Sequence, residues 1–162
     1  MTIQTPYVAP PCSVLPEWID HNGHMNLGYY LIAFDNASET FFHFVGFTPQ
    51  FRRDHHATIF SLENHLHYVR EVKTGDPLRF EFRLIDANER RFHFYAEMFH
   101  ASEGHLVATY EGISAHVDTR TRRTTPMAES LVRRLQEVKA AHAALPKPWR
   151  AGHVMSVNPP KK

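Results

Sequence analysis

The sequence predicts an α+β domain in which one long helix packs against a curved antiparallel sheet. Two apolar patterns carry this prediction. Between Leu27 and Val45, apolar residues recur every three or four positions, which is the period of an amphipathic helix. After residue 57 the apolar residues alternate with polar ones, which is the period of a strand. A chain of 162 residues with 43% apolar residues is long enough for one such domain with its own core.

Proline and capping signals delimit the first two elements. Four prolines in residues 1–17 restrict this segment to an edge strand or extended coil, because proline has no N–H group for a strand ladder. The long helix is predicted to begin after Asn26, a favourable N-cap, and to end at Gly46.

The rest of the chain is predicted to form strands and a terminal helix. Four strands are expected, over 57–72, 79–85, 92–98 and 106–117. The short connections between them predict that consecutive strands are antiparallel neighbours. Thr125 and Pro126 fit the N-cap and first position of an amphipathic helix that runs to about Ala144. Prolines make the remainder a tail: Pro146, Pro148, Pro159 and Pro160.

Composition excludes several classes of protein. The 18 Lys and Arg residues nearly balance the 17 Asp and Glu residues, so the basic excess of a nucleic-acid-binding protein is missing. No run approaches the roughly 18 apolar residues of a membrane span. The first residues carry no secretory signal, which predicts a cytoplasmic protein. A single cysteine, Cys12, excludes an internal disulfide and a cysteine-rich zinc module.

The densest polar cluster is the turn Asp20-His-Asn-Gly-His-Met-Asn26, directly before the long helix. A helix N-terminus offers unpaired N–H groups and a partial positive charge, which can hold a developing oxyanion. Gly23 lets the backbone approach a ligand closely. With the Asp20 carboxylate beside these donors, the turn has the minimum equipment to hydrolyse an activated acyl group. The alternative is that Asp20 and Asn26 only shape the turn.

The string Trp18-Ile-Asp-His-Asn-Gly-His-Met-Asn26, followed by Tyr30, resembles the hotdog-fold acyl-CoA thioesterases of the 4-hydroxybenzoyl-CoA thioesterase-like type. Within that family it is similar to the thioesterases associated with carnitine dehydrogenase, which are linked to betainyl-CoA hydrolysis. Three distal motifs support the subgroup: Glu63-x-His65-x-x-Tyr68, Ala108-Thr109-x-Glu111 and His116-Val117-Asp118. The resemblance covers roughly residues 13–153.

The resemblance implies a single hotdog domain over 1–162, with its core at about 13–145 and a tail at 146–162. It implies a homodimer or homotetramer whose active site lies between subunits. The expected reaction is hydrolysis of a short acyl-CoA, with betainyl-CoA as the first expectation. No metal, bound organic cofactor, nucleic acid or membrane partner is expected.

The resemblance also implies roles for individual residues. Asp20 either attacks the thioester carbon or activates water. The backbone from Gly23 to Leu27 polarises the carbonyl, while His24 and Asn26 position the turn. Five residues are candidates for contact with the acyl group: Trp18, Tyr30, Glu63, His65 and Tyr68. Of these, Glu63 and His65 are expected to face Asp20 of a partner chain. Three arginines are candidates for the phosphates of coenzyme A: Arg120, Arg122 and Arg123.

Other functions stay open. His65 and His67 share one strand face and, with His55 and His56, suggest a metal site, although the chain has no complete zinc-ligand motif. Asp20 and His24 together have the residue types of a hotdog hydratase or dehydratase. A non-catalytic acyl-CoA-binding protein is the third alternative.

Overall fold

The computed structural model describes residues 2–158. Its sheet contains five strands: β1 (Tyr7–Ser13), β2 (Ala57–Tyr68), β3 (Pro77–Ala87), β4 (Arg91–His100) and β5 (Leu106–Asp118). Its α-helices are α1 (Leu27–Phe44), α2 (Pro49–Asp54) and α3 (Glu129–His142), and a short 3-10 helix spans Pro16–Trp18. The α+β class, the long first helix and the terminal helix are confirmed. No helix in the described part of the chain is long and apolar enough to span a membrane.

Helix α1 is the central element, and its two ends follow the predicted signals. At the start, the Asn26 side chain accepts a hydrogen bond from the Gly28 N–H at 3.0 Å, which satisfies one of the free donors of the first turn. At the end, Gly46 adopts a φ of 105°, which favours glycine. The buried positions recur at helical spacing: Tyr30, Ala33, Phe34, Ala37, Ser38, Phe41 and Phe42.

The core lies between α1 and one face of the sheet. Phe41 stacks on Phe82 of β3 with ring centroids 5.2 Å apart, and Phe34 stacks on Tyr110 of β5 at 5.5 Å. Gly112 leaves room for this packing, because a Cβ atom there would lie 2.8 Å from the Tyr110 ring. Successive strand residues point to opposite faces, so residue 111 faces away from the helix.

The order of strands corrects one prediction. The sheet runs β1-β3-β4-β5-β2, so β2 pairs with β5 and does not neighbour β3. The segment 69–76, which we call the crossover, therefore carries the chain from one side of the sheet to the other. Strand β1 is the opposite edge, as its prolines predicted.

Two further predictions differ from the structure. Helix α3 begins at Glu129 with Ala128 as its N-cap residue, so the prediction that Thr125 caps it is wrong. Thr125 instead belongs to an extended segment, in which its N–H donates to the His116 carbonyl at 3.1 Å. The short helices Pro16–Trp18 and α2 were not predicted, since each is too short to show a helical period.

The predicted tail also has structure. Its Gly152 N–H donates to the Glu111 carboxylate, with distances of 3.0 Å to Oε1 and 2.9 Å to Oε2. His93 Nε2 lies 2.7 Å from the same carboxylate. The tail therefore crosses the face of the sheet that α1 leaves uncovered. Pro159 and Pro160 lie outside the described residues.

Candidate active site

The turn before α1 is built by short-range bonds. The Asp20 N–H donates to the His24 carbonyl at 3.2 Å, and the Gly23 N–H donates to the Asp20 carbonyl at 3.0 Å. Gly23 has a φ of 80°, a conformation that side chains disfavour, and a Cβ there would meet nothing within 4 Å. Glycine is therefore needed here for its backbone conformation, since space alone would admit a larger residue.

The Asp20 carboxylate is oriented by both of its oxygens. Oδ1 accepts a hydrogen bond from the Asn22 N–H at 2.8 Å, and Oδ2 accepts one from the Asn26 amide at 3.1 Å. The bond from Asn22 is the largest cause that lowers the pKa of Asp20 below 3.8, and Asn26 and the nearby His24 lower the pKa further. Asp20 is consequently ionised at neutral pH and available as a base or nucleophile.

Most backbone N–H groups of the turn are already used. Gly23 donates to Asp20, Met25 donates to the Val72 carbonyl at 2.9 Å, and Asn26 donates to the Trp18 carbonyl at 2.9 Å. Within the described chain, three N–H groups of residues 20–27 have no acceptor: those of His21, His24 and Leu27. His24 and Leu27 are therefore free to bind an oxyanion, whereas Gly23 is not.

A cleft of about 260 Å³ opens beside the turn and the start of α1. Its walls include His24, Leu27, Tyr30 and Tyr68, so the structure brings these four predicted residues together. The Tyr30 and Tyr68 rings meet edge to face with centroids 5.1 Å apart. Burial raises the pKa of both phenols, so both are neutral donors at neutral pH.

Trp18 does not join this cleft. Its side chain is buried and stacks on Tyr29 with ring centroids 5.8 Å apart. It lines a separate apolar cavity of about 380 Å³, which is formed with β1 and with Ala33 and Ala37 of α1. The prediction that Trp18 contacts the same group as Tyr30 is therefore not supported by its position.

Glu63 and His65 lie on the other face of the sheet. His65 is opposite Glu111 in the β2–β5 ladder, and both line cavities that the tail residue Gly152 or His153 borders. A two-residue alternation keeps Glu63 and His65 away from α1 and from Asp20. Within one chain, Glu63 and His65 therefore do not approach Asp20, and the expectation that they face Asp20 of a partner chain stays a prediction. His67 shares their face and lies 5.3 Å from the Trp149 ring.

The arginine cluster follows β5, at the end of the sheet opposite Asp20. Arg120 pairs with Asp118 at 2.9 Å, and this bond lowers the pKa of Asp118. The Arg122 guanidinium lies 4.7 Å from the centroid of the Phe60 ring, and the Arg123 carbonyl accepts from the Asp118 N–H at 3.0 Å. Within one chain, the part of β2 from Phe60 to Tyr68 separates Arg122 from the turn by about 26 Å, at roughly 3.3 Å per residue.

Neither a metal site nor a reactive cysteine is supported by the geometry of the described residues. No group of three or more His, Cys, Asp or Glu side chains in the described ranges is arranged to hold a metal ion. Cys12 lies on the edge strand β1, and burial raises the pKa of its thiol, which disfavours the reactive thiolate.

Sequence reasoning missed three residues at the site. Asn22 donates to Asp20 through its backbone, which a sequence pattern does not distinguish from any turn residue. Arg70 and Glu71 line the cleft because the crossover passes beside the start of α1. The only signal for them was their position just after Tyr68.

Comparison with known proteins gives one family. The model of the thioesterase-like superfamily matches residues 14–135. The betainyl-CoA thioesterase of Pseudomonas aeruginosa is 31% identical over 157 residues, which is 97% of each chain. The L-carnitine dehydrogenase/betainyl-CoA thioesterase of Rhizobium meliloti is 29% identical over 135 residues, or 83% of this chain. The chain spans only 27% of that longer relative.

A solved structure supports the same fold. The Staphylococcus aureus protein SAV2348, determined in complex with CoA, superposes with a TM-score of 0.85 at 24% identity, covering 98% of this chain and 100% of the other. At that identity the likeness establishes the architecture, which is the hotdog fold predicted from the sequence.

Proposed function

The chain belongs to the thioesterase-like superfamily, and from that premise we propose that it is an acyl-CoA thioesterase acting on a short acyl-CoA, with betainyl-CoA as the first candidate. The observation that carries the proposal is the Asp20 carboxylate, ionised and held beside the free N–H groups of His24 and Leu27. A thioester is already activated, and its thiolate leaves without a strong acid, so this small set of groups is sufficient. The proposed reaction uses no metal and no bound organic cofactor.

Asp20 acts on the thioester carbonyl carbon in one of two ways. As a general base it takes a proton from water while the water oxygen attacks the carbon. As a nucleophile it forms an anhydride that water then opens. In both cases the C–S bond breaks, the sulfur leaves as the thiolate of coenzyme A, and the acyl group leaves as a carboxylate. Label found in the Asp20 side chain after a single turnover in ¹⁸O-labelled water identifies the nucleophile, because a general base never bonds to the water oxygen.

The carbonyl oxygen becomes negatively charged during attack. The Leu27 N–H at the first position of α1, together with the His24 N–H, supplies donors with the helix dipole behind them. Asn26 connects the Asp20 carboxylate to the first turn of α1, because its NH2 group donates to Asp20 and its side-chain oxygen accepts from the Gly28 N–H. The carboxylate and the helix start are thereby kept at a constant separation.

A dimer formed through β2 is part of the proposal. Strand β2 is a sheet edge of 12 residues, its middle section is exposed, and Leu62 there is 51% exposed. A long unprotected edge is a template for pairing with another strand. Pairing of two β2 strands around a two-fold axis is antiparallel, and it would make one continuous sheet from two chains. A homotetramer remains compatible with this dimer.

The same pairing has a consequence for the arginines. It sets Ala57, the first residue of β2, beside Tyr68, the last residue of the partner's β2. The turn with Arg120 and Arg122 neighbours Ala57 through the Asp118 pair of the ladder. The partner's cluster would then lie near this chain's Asp20 turn, where guanidinium groups bind the phosphates of coenzyme A. The distance between cluster and turn in one chain therefore supports a shared site.

The acyl group is proposed from the relatives. Two of them carry betainyl-CoA thioesterase in their names, one of them within a protein that also has an L-carnitine dehydrogenase part. A role in carnitine metabolism follows for this chain as a proposal. A panel of short, long and aromatic acyl-CoA esters, with release of free thiol as the readout, tests it. Preference for a long or aromatic ester would overturn the betainyl proposal, and no release from any ester would overturn the thioesterase.

The dimer has its own test. Light scattering should find a dimer or tetramer, and Leu62→Arg should shift it toward monomer by setting like charges against each other at the two-fold axis. Arg122→Ala should raise KM for acyl-CoA without changing the assembly. An active wild-type monomer would contradict the shared site.

A further inference from the structure

The cleft beside the turn has a composition that suits one kind of acyl group. It shares His24 and Leu27 with the proposed catalytic site and extends to Tyr30, Tyr68 and the oppositely charged crossover residues Arg70 and Glu71. An acyl group whose carbonyl lies at the start of α1 therefore has this cleft as its nearest space. A volume of about 260 Å³ suits a small group and not a long chain.

Two tyrosine rings form the aromatic part of the cleft, and both are fixed at their hydroxyl ends. The Tyr68 hydroxyl donates to the Leu27 carbonyl at 3.2 Å, and the Tyr30 hydroxyl donates to the Arg70 carbonyl at 3.3 Å. Because Tyr68 is 45% exposed, part of its ring remains open to a ligand. Aromatic rings attract cations, and quaternary ammonium groups in particular, which have no N–H with which to make hydrogen bonds.

Glu71 supplies the negative charge of the cleft. Its carboxylate is close enough to the Tyr30 phenol to add to the rise in that pKa, after the larger effect of burial. Its ion pair with Lys73 is 3.9 Å long, and both side chains are more than half exposed. Exposed pairs of this kind contribute little, so a ligand cation can displace Lys73 at small cost. Arg70, which also lines the cleft, and Lys73 are both positively charged. Glu71 is therefore the residue of this segment that offsets them and can attract a cation.

We propose that Tyr30, Tyr68 and Glu71 form the seat for a cationic acyl group, with Glu71 as the residue that selects for its charge. This inference rests on the proposed thioesterase activity and assigns its specificity to the crossover. It replaces Glu63, which lies on the other face of the sheet, and Trp18, which lies in a separate cavity.

The test compares two esters of the same shape. Betainyl-CoA carries a trimethylammonium group, and 3,3-dimethylbutanoyl-CoA has a carbon atom in place of the nitrogen. Wild-type protein should prefer the charged ester by about thirtyfold in kcat/KM, the scale of a desolvated cation–aromatic site. Glu71→Gln should reduce this preference about tenfold, because it removes one charge at close range. Tyr68→Leu should also reduce it, since the ring is lost while apolar volume is kept.

Glu89→Gln is the matched control. The Glu89 side chain is 62% exposed against 61% for Glu71, and it lies 3.7 Å from Arg90 as Glu71 lies 3.9 Å from Lys73. It sits in the β3–β4 turn, at the opposite end of the sheet from Asp20. This control should keep the wild-type preference between the two esters.

The possible outcomes distinguish failure of the acyl seat from failure of the proposed thioesterase activity. An unchanged preference in Glu71→Gln, with a wild-type melting temperature, would overturn the seat and leave the thioesterase standing. Equal rates of the wild-type protein with the charged and neutral esters would do the same. Failure to release thiol from any ester in the panel would overturn both.

Discussion

Replacing Asp20 with asparagine removes one negative charge at almost constant size. The Asn22 N–H, now 2.8 Å from Oδ1, keeps an oxygen acceptor if the new amide oxygen occupies that position. The new NH2 group then faces the Asn26 amide nitrogen, which now lies 3.1 Å from Oδ2, so two donors meet and this bond is lost. The backbone bonds between Asp20, Gly23 and His24 are unaffected. The turn should therefore survive, and the fold with it.

The rate of hydrolysis should fall even though the fold is retained. An amide neither accepts a proton from water nor attacks a thioester, so the expected loss in kcat is about 100-fold or more, the scale of a missing general base. KM should change by less than about threefold, because the cleft and the helix donors remain. Steady-state release of free thiol from betainyl-CoA, or from the best ester of the panel, measures both constants. Circular dichroism checks the fold of the variant.

Asp86→Asn is the control for this measurement. The pKa of Asp86 is also lowered, chiefly by its hydrogen bond with Lys139, but Asp86 lies at the end of β3 remote from the turn. Its replacement should leave kcat within about twofold, as expected for a surface carboxylate outside the site. A folded Asp20→Asn protein that retained most of the wild-type kcat would remove Asp20 from the mechanism.

Three further outcomes are expected. Gly112→Ala should lower the free energy of unfolding by about 1–3 kcal/mol in urea titrations, because the new methyl group would lie 2.8 Å from the Tyr110 ring; an unchanged midpoint would contradict the packing. Burial holds the pKa of His142 below 6.5, so as pH falls below that value the unfolded chain binds a proton that the folded chain refuses. Stability should then decline toward acid, with a shallower decline in His142→Phe measured by thermal melts at several pH values. Dialysis against a chelator should leave kcat/KM unchanged, and a loss restored by zinc would favour the histidine alternative.

Local sequence patterns predicted most of the helices and strands. The three- and four-residue spacing of Tyr30, Phe34 and Phe41 predicted α1, and its caps at Asn26 and Gly46 were correct to within about two residues. Alternation predicted β3, β4 and β5 to a similar accuracy, whereas β2 ends at Tyr68, four residues before its predicted end. These signals are local, since each depends only on how a side chain relates to its own backbone direction.

The structure was needed to show which strands pair and which side of each strand faces the helix. Short connections predicted that β2 pairs with β3, yet eight residues of crossover are enough to reach past the sheet, and β2 pairs with β5. The same limit affected the candidate site. The structure brings His24, Tyr30 and Tyr68 together beside the turn, whereas Glu63 and His65 lie on the other face of the sheet, and sequence reasoning missed Glu71. Motif spacing does not say which side of a strand faces a helix once a bulge intervenes, as it does in β2 between Ser61 and Glu63.

The crossover has a consequence for how such a protein can change its substrate during evolution. It holds the turn through the bond from the Met25 N–H to the Val72 carbonyl and fixes Tyr30 through the Arg70 carbonyl. Both bonds use its backbone, whereas its side chains border the cleft. On the proposed assignment, exchanges at positions 70 and 71 therefore alter the charge of the acyl seat while the supports of the Asp20 carboxylate stay intact. Substitutions within residues 69–72 can then change which acyl group is preferred without changing the rate of hydrolysis.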